Sequence, residues 1–195
     1  MSSTDADPKA LLRRAALERR RNVAPAVRDL LNERLVLEGL RLARLWGPAV
    51  ISAFHPIREE PDVLALLATL AEDGFATALP VAVGRGRHLT FRLWRPGEPT
   101  IVGGMGIPEP PDSAPAVEPD LLFVPLACFD RRGHRIGYGA GYFDRSLERL
   151  RSRKRIHAVG VACGVCEVAA VPYEAHDQSL DVVVTEHETI FVRER

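Results

Sequence analysis

The sequence predicts an α/β fold, one domain in which a mainly parallel sheet lies between layers of helix. Three observations carry this prediction. Strand-length apolar runs alternate with stretches of helical period, the order that builds parallel sheets. Loops rich in glycine, proline and charge leave those runs and lead into helices, which is where open α/β sheets receive ligands. A chain of 195 residues suffices for one well-buried core and is short for two. The formal net charge of zero and a hydrophobic fraction of 46% give no bulk field for nucleic acid or a membrane surface. Residues 1–8 are polar and acidic without an apolar centre, and no run of about eighteen apolar residues occurs anywhere. A cytoplasmic protein is therefore expected, with residues 1–7 as a flexible tail.

In chain order, Asp7-Pro8 reads as an N-cap followed by proline at the first helical position, opening a helix through Leu11, Leu12, Ala15 and Ala16. Lys9 and Arg13 are four apart and share a face. Cations at a helix start oppose the macrodipole. Either an anion compensates them or, with Arg14, Arg19, Arg20 and Arg21 close by, they belong to a solvated basic face. A second helix opens near Pro25 and runs through Val27, Leu30, Leu31, Leu35 and Leu42 to Gly47-Pro48, its leucines expected in the core. Residues 49–54 form a first strand, and a loop over 55–62 leads to a helix carrying Leu64, Leu66, Leu67 and Leu70, stopped by Gly74. Within that loop Glu60 suits a helix start with or without a ligand, and His55 and Arg58 read as surface residues.

Residues 79–83 and 89–94 are strands about Gly84-Arg85-Gly86-Arg87, read as a polar turn because two arginines make too small a patch for nucleic acid. Residues 103–111 are rigid and irregular. The apolar run 121–126 is a strand entering an Asp130–Gly133 tight turn, and residues 158–161 and 182–184 are further strands. Asp181, at the entry of an apolar run, is awkward if buried and unpaired, and a bound cation would explain it. His176 and Asp177 read as a structural hydrogen-bonded pair. Cys163-Gly-Val-Cys166 has the spacing of a zinc or redox half-site but lacks a second ligand pair, so it and Cys128 read as small buried hydrophobes.

The stretch that organises the chain follows the 121–126 strand. Gly137, Gly139 and Gly141 alternate, and an amphipathic pattern begins with Tyr142, Leu147 and Leu150 on one side. Strand, glycine-rich loop and helix start together make an anion cradle, since glycines let the backbone approach a ligand and the helix start adds partial positive charge. A plain flexible turn fits the same pattern. A dinucleotide fingerprint is excluded, because its third glycine would fall at Tyr142, and a P-loop is excluded by the lack of Gly-Lys-Ser/Thr. Arg135, Tyr138, Tyr142 and Asp144 are the chemistry-bearing neighbours.

Residues 129–144, Phe-Asp-Arg-Arg-Gly-His-Arg-Ile-Gly-Tyr-Gly-Ala-Gly-Tyr-Phe-Asp, closely resemble the signature of the 5-formyltetrahydrofolate cyclo-ligase (methenyltetrahydrofolate synthetase) family, with Phe143 and Ala140 as mild departures. The N-terminal Lys9-x-x-Leu12-Arg13, the Gly106-Ile-x-Glu-Pro110 element and the 172–186 segment are similar to further family blocks. The resemblance implies a three-layer α/β/α domain, similar to the NagB/RpiA/CoA-transferase-like fold. It also implies ATP- and Mg²⁺-dependent ring closure of 5-formyltetrahydrofolate to 5,10-methenyltetrahydrofolate, releasing ADP and phosphate after phosphoryl activation of the formyl oxygen.

By the same resemblance, ATP contacts are assigned to Lys9, Arg13, Arg135, Ile136, Gly137, Tyr138, Gly139, Ala140, Gly141, Tyr142 and Phe143. Substrate contacts are assigned to Phe54, Glu60, Met105, Tyr138, Gly139 and Tyr142, although Met105 also suits a core gap. Mg²⁺ is assigned to Asp144 and Asp181. No acid/base residue is assigned, and a monomer or weak dimer acting on a small molecule, without nucleic-acid or membrane partner, is expected. A non-catalytic folate- or RNA-binding relative, or a phosphosugar isomerase on a related fold, are the other readings. The second would need an acid/base pair in place of metal carboxylates.

Overall fold

Five strands, β1 (Val50–Ser52), β2 (Ala76–Val81), β7 (Leu121–Pro125), β10 (His157–Val161) and β11 (Val182–Val184), pair in parallel in a computed structural model that describes residues 7–192. Antiparallel strands β3 (Thr90–Leu93), β6 (Ala116–Val117) and β12 (Thr189–Phe191) close the two sides. Among the described residues these make one sheet in the order β12-β11-β10-β7-β1-β2-β3-β6. Two short antiparallel pairs stand off it, β4 (Ile101–Val102) with β5 (Pro108–Glu109) and β8 (Cys128–Phe129) with β9 (Arg135–Ile136). The helices are α1 (Pro8–Arg21), α2 (Pro25–Trp46), α3 (Leu64–Glu72) and α4 (Tyr142–Arg151).

The period of two along β7 sorts its side chains between two cores. Leu121 and Phe123 pack with Leu35 and Leu42 of α2 and Leu66 and Leu70 of α3. Leu122 and Val124 pack on the opposite face with Leu147 and Leu150 of α4. This gives the expected layers, helix on sheet on helix, in a mixed and mostly parallel α/β fold. The chain places β2 on one side of β1 and β7 on the other, so the crossover direction reverses between β1 and β7. A crevice opens at the carboxyl ends of strands where that reversal occurs.

The expected helix start at Asp7-Pro8 is present: the Asp7 carboxylate accepts from the Lys9 N–H at 3.0 Å, and Pro8 is the first helical residue. The rest of the expected tail lies outside the described residues. α2 ends at Gly47 in the left-handed conformation, φ 60°, as the Gly-Pro signal predicted. Two expectations are corrected. Leu30 is about half exposed, because α2 buries the stripe of Leu31, Leu35, Gly39 and Leu42. Arg20 does not belong to a solvated basic face; it is 3% exposed, since it lies on the buried side of α1 with Ala16. The three cysteines are free and buried, and burial pushes their thiols up, to about 11 for Cys128, about 12 for Cys163 and about 11 for Cys166. No helix among the described residues is long and apolar enough to cross a membrane.

Candidate active site

A cavity of about 820 Å³ occupies the crevice. Phe54 beyond β1, Ala82 beyond β2 and Pro125 at the end of β7 form its floor, all at carboxyl ends of parallel strands. The glycine loop 137–141 and the start of α4 form one wall, and Lys9 and Arg13 of α1 stand against it. His55, Arg58 and Glu60 bring the 55–62 loop to the opposite side, and Met105 enters from the β4–β5 hairpin. His55 and Arg58 both line the cavity; Arg58 is exposed, as expected, and His55 is half-buried. Arg58 also holds φ at 53°, a left-handed backbone that costs a non-glycine residue about 1–2 kcal/mol.

Local geometry explains the glycines. Gly139 and Gly141 have φ of 96° and 65°, which L side chains rarely adopt. The Arg13 Nε donates to the Gly137 carbonyl at 2.8 Å, and a Cβ on Gly139 would lie 3.5 Å from the Arg13 guanidinium. The loop is thus folded around a cation from α1. Lys9 donates to Asp177 at 2.6 Å and to Glu174 at 3.0 Å. Burial alone would lower the Lys9 ammonium, but these two carboxylates outweigh it and raise it.

Arg135 is buried beneath the loop. Its guanidinium donates to Asp144 Oδ1 at 2.9 Å and to the Gln178 carbonyl, and the Gln178 N–H donates to the same Asp144 oxygen at 3.1 Å. Asp144, in the first turn of α4, lines the cavity. Asp181 does not join it. Its carboxylate accepts from the Ala158 N–H at the start of β10 and from Arg151 at 3.2 Å in the last turn of α4, so it lies at the opposite end of the sheet. The cation expected beside Asp181 is the Arg151 guanidinium, and the expected sharing of one ion by Asp144 and Asp181 is corrected on that ground. Asp177, on the rim with Lys9, is the second carboxylate that this corner of the fold offers. The expected His176–Asp177 pair is also corrected: 3.8 Å separates the His176 ring from Asp177 Oδ1, and Asp177 instead accepts from Lys9 and the Glu174 N–H.

On the other side, Glu60 accepts from the Ile57 N–H at 2.9 Å. Burial raises the Glu60 carboxyl above its usual range. Arg20 donates to the Tyr138 hydroxyl at 2.8 Å. Met105 is more than half exposed at the cavity mouth and fills no core gap. Phe54 is buried in the floor, and Ile136, Ala140, Tyr142 and Phe143 complete the lining near the loop. Sequence reasoning missed Arg20, Asp177 and the cavity residue Glu109, whose carboxylate accepts from the Ala82 N–H at 3.0 Å.

The donor set can be weighed against a nucleotide and Mg²⁺. Two cations, exposed loop amides and a helix N-terminus suit a polyphosphate. No three His, Cys, Asp or Glu side chains among the described residues form a metal cluster. Asp144 with Asp177 nearby fits Mg²⁺, which binds through one or two carboxylates together with phosphate oxygens and water. It does not fit an ion that needs a full protein cage.

Fold and cavity together define an α/β protein with an anion cradle beside an aromatic-lined slot. The model of the 5-formyltetrahydrofolate cyclo-ligase family matches residues 5–186. A 5-formyltetrahydrofolate cyclo-ligase of Mycolicibacterium smegmatis is 35% identical over 185 residues, 91% of this chain and 93% of that protein. The Escherichia coli K12 protein of the same name is 27% identical, covering 86% of this chain and 94% of its own. The solved 5,10-methenyltetrahydrofolate synthetase of Aquifex aeolicus superposes with a TM-score of 0.79 at 27% identity, over 96% of this chain and 94% of that one. This chain belongs to the 5-formyltetrahydrofolate cyclo-ligase family.

Proposed function

We propose that this protein, as one domain over residues 1–195, is a cytoplasmic enzyme that closes 5-formyltetrahydrofolate to 5,10-methenyltetrahydrofolate at the expense of ATP. The observation that carries the reading is a single cavity with a cationic, glycine-lined end and an end bearing Phe54, Glu60 and Met105. A formamide oxygen is a poor leaving group, and ATP supplies its activation by phosphoryl transfer. The N10 nitrogen then attacks the activated carbon, phosphate departs with the former formyl oxygen, and N10 releases its proton. No side chain is assigned as acid or base, because the demands are positioning and charge neutralisation.

In this reading Lys9 and Arg13 hold the phosphates against the amides of residues 137–141. Arg135 acts from below, by fixing Asp144. Mg²⁺ would be held by Asp144 with Asp177, and would neutralise charge on the phosphates. Glu60 accepts from the pterin ring, Met105 covers it, and Tyr138 stands between the two ends. Phe54 makes the floor, and Tyr142 borders the cradle.

The test is absorbance at the methenyl product band with purified protein, 5-formyltetrahydrofolate and Mg-ATP. Product should appear only when all three are present and stop on chelation of Mg²⁺. Binding of folate with no product at any nucleotide concentration would instead favour a non-catalytic relative.

A further inference from the structure

Glu109 of β5 is a carboxylate that the phosphate cradle does not use and that the fold leaves half-engaged. It is 6% exposed and lines the cavity. Its Oε1 accepts from the Ala82 N–H at 3.0 Å, just past the end of β2. Among the described residues nothing donates to its Oε2, and no Lys, Arg or His pairs with it. A carboxylate buried with one hydrogen bond and no cation costs folding free energy. Fastening the β4–β5 hairpin to β2 does not explain that cost, because the Ala82 N–H needs one acceptor and a glutamine would supply it. What a glutamate adds is the second acceptor oxygen, and that oxygen is the unused one.

The surroundings hold the group ready. A Cβ on Gly103 would lie 2.3 Å from Oε2, so the residue that faces the carboxylate across the hairpin is one without a side chain. Pro108 and Pro110 flank Glu109 and keep its backbone extended, so little freedom is lost when a ligand arrives. Ala82 follows β2 and Phe54 follows β1, and these two strands are paired, which sets the carboxylate one strand over from the Phe54 floor.

We propose that Glu109 is a second substrate-binding carboxylate, whose Oε2 accepts from the donor edge of the folate ring, the exocyclic 2-amino group with the adjoining N3–H. The inference rests on the reading of this cavity as the folate site. 5-Formyltetrahydrofolate carries no cation, so its N–H groups are the partners it can offer a carboxylate. The 2-amino group and N3–H point the same way from one edge, the paired geometry that a carboxylate accepts best, and neither belongs to the reacting N5 and N10 side. With Glu60 entering from the 55–62 loop and Glu109 from the β4–β5 hairpin, the ring is held by acceptors from two separate segments.

Glu109→Gln and the 2-desamino-2-methyl analogue of 5-formyltetrahydrofolate test this together, with turnover read as phosphate released. The amide keeps the volume and an acceptor for Ala82 but not a second one for the ligand. Glu109→Gln should melt within about 2 °C of the wild type, raise the folate KM by about tenfold and leave the ATP KM within about twofold. The analogue should raise the KM of the wild type by about tenfold, yet that of Glu109→Gln by no more than about twofold further, since the two changes remove one contact. Glu109→Asp, which keeps the charge with a shorter reach, should likewise lose most of the discrimination against the analogue.

A folded Glu109→Gln with the wild-type folate KM overturns the proposal, as does one that raises both KM values alike or still discriminates fully against the analogue. A wild type indifferent to the missing amino group overturns it too. If Glu109→Gln does not fold, Glu109→Asp decides, and undiminished discrimination there overturns it. Absence of turnover by the wild type on 5-formyltetrahydrofolate itself removes the reading of the cavity instead.

Discussion

A carboxylate that neutralises a buried guanidinium cannot be deleted without consequence. Asp144→Ala would leave Arg135 uncompensated beneath the glycine loop, at a cost of about 3–5 kcal/mol. Asp144→Asn keeps an acceptor for Arg135 and the Gln178 N–H. It should fold, with a modest fall in melting temperature, yet lose about 10–100-fold in methenyl formation if the carboxylate is needed beside Mg²⁺. Melting and product absorbance on the same sample check this. Gly139→Ala tests the cradle differently. At φ 96° an alanine is strained by about 1–2 kcal/mol, and that backbone strain falls where the loop meets the Arg13 guanidinium, 3.5 Å from the added methyl. The ATP KM should rise more than the folate KM, with a melting temperature lower by about 2–8 °C. Both glycines and cations were legible in the sequence, because glycine alternation and the Lys-x-x-x-Arg spacing are local. The choice between Asp177 and Asp181 was not. The two flank the same short stretch, and only the register of β10 on β11 shows that one meets Lys9 while the other meets Ala158 and Arg151.

Elements, more than single residues, set which side chains meet. α1 places Lys9, Arg13, Ala16 and Arg20 on one stripe, so a single helix meets the glycine loop at Gly137 through Arg13 and at Tyr138 through Arg20. The stripe was visible as Lys9 and Arg13. Arg20 was hidden among five arginines, since charge alone does not say which of them a helix buries. The β8–β9 hairpin carries the glycine loop, and Asp130 holds its turn. Asp130 is buried and accepts from the Val171 N–H at 2.9 Å, the Arg132 N–H at 2.9 Å and the His134 N–H at 3.2 Å. Burial alone would raise this carboxyl; the hydrogen bonds outweigh it and hold it below the usual carboxylate range. A depressed acid stabilises fully above its unfolded-state value, about 3.9, and the contribution disappears as pH falls through the lower folded-state value. Asp130→Asn should therefore cost about 2–3 kcal/mol at neutral pH and flatten the acid limb of the stability curve, as urea melts at several pH values would show.

At the cavity mouth, a Cβ on Gly103 would sit 2.1 Å from the Glu109 carboxyl carbon. Gly103→Ala should displace Glu109 from the Ala82 N–H, shift Met105, and raise the folate KM while sparing that for ATP. The long helices and the parallel strands were legible from their periods. The pairs β4–β5 and β8–β9 were not, because two residues are too few to show alternation.

For the whole molecule, the crossover reversal between β1 and β7 is what brings residues distant in the chain to one crevice. Lys9, Glu60, Met105 and Asp144 come from four separate segments and line the same space. That the sheet would be parallel and covered on both faces followed from the alternation of elements, whereas the contents of the crevice depended on strand order, which no local pattern encodes. Ligand binding should register globally, because Lys9 and Arg13 tie α1 to segments 174–177 and 137–141. Mg-ATP at about 100 times its Kd should stabilise by about 2.7 kcal/mol and raise the melting temperature by about 5–11 °C. Lys9→Met should lose most of that shift.

The central claim is chemical: one cavity brings a terminal phosphoryl group onto the formyl oxygen. Substrate labelled with ¹⁸O at the formyl group tests it most directly, by mass spectrometry of the phosphate released in a single turnover. The label should appear in phosphate; unlabelled phosphate formed in step with methenyl product would contradict the account.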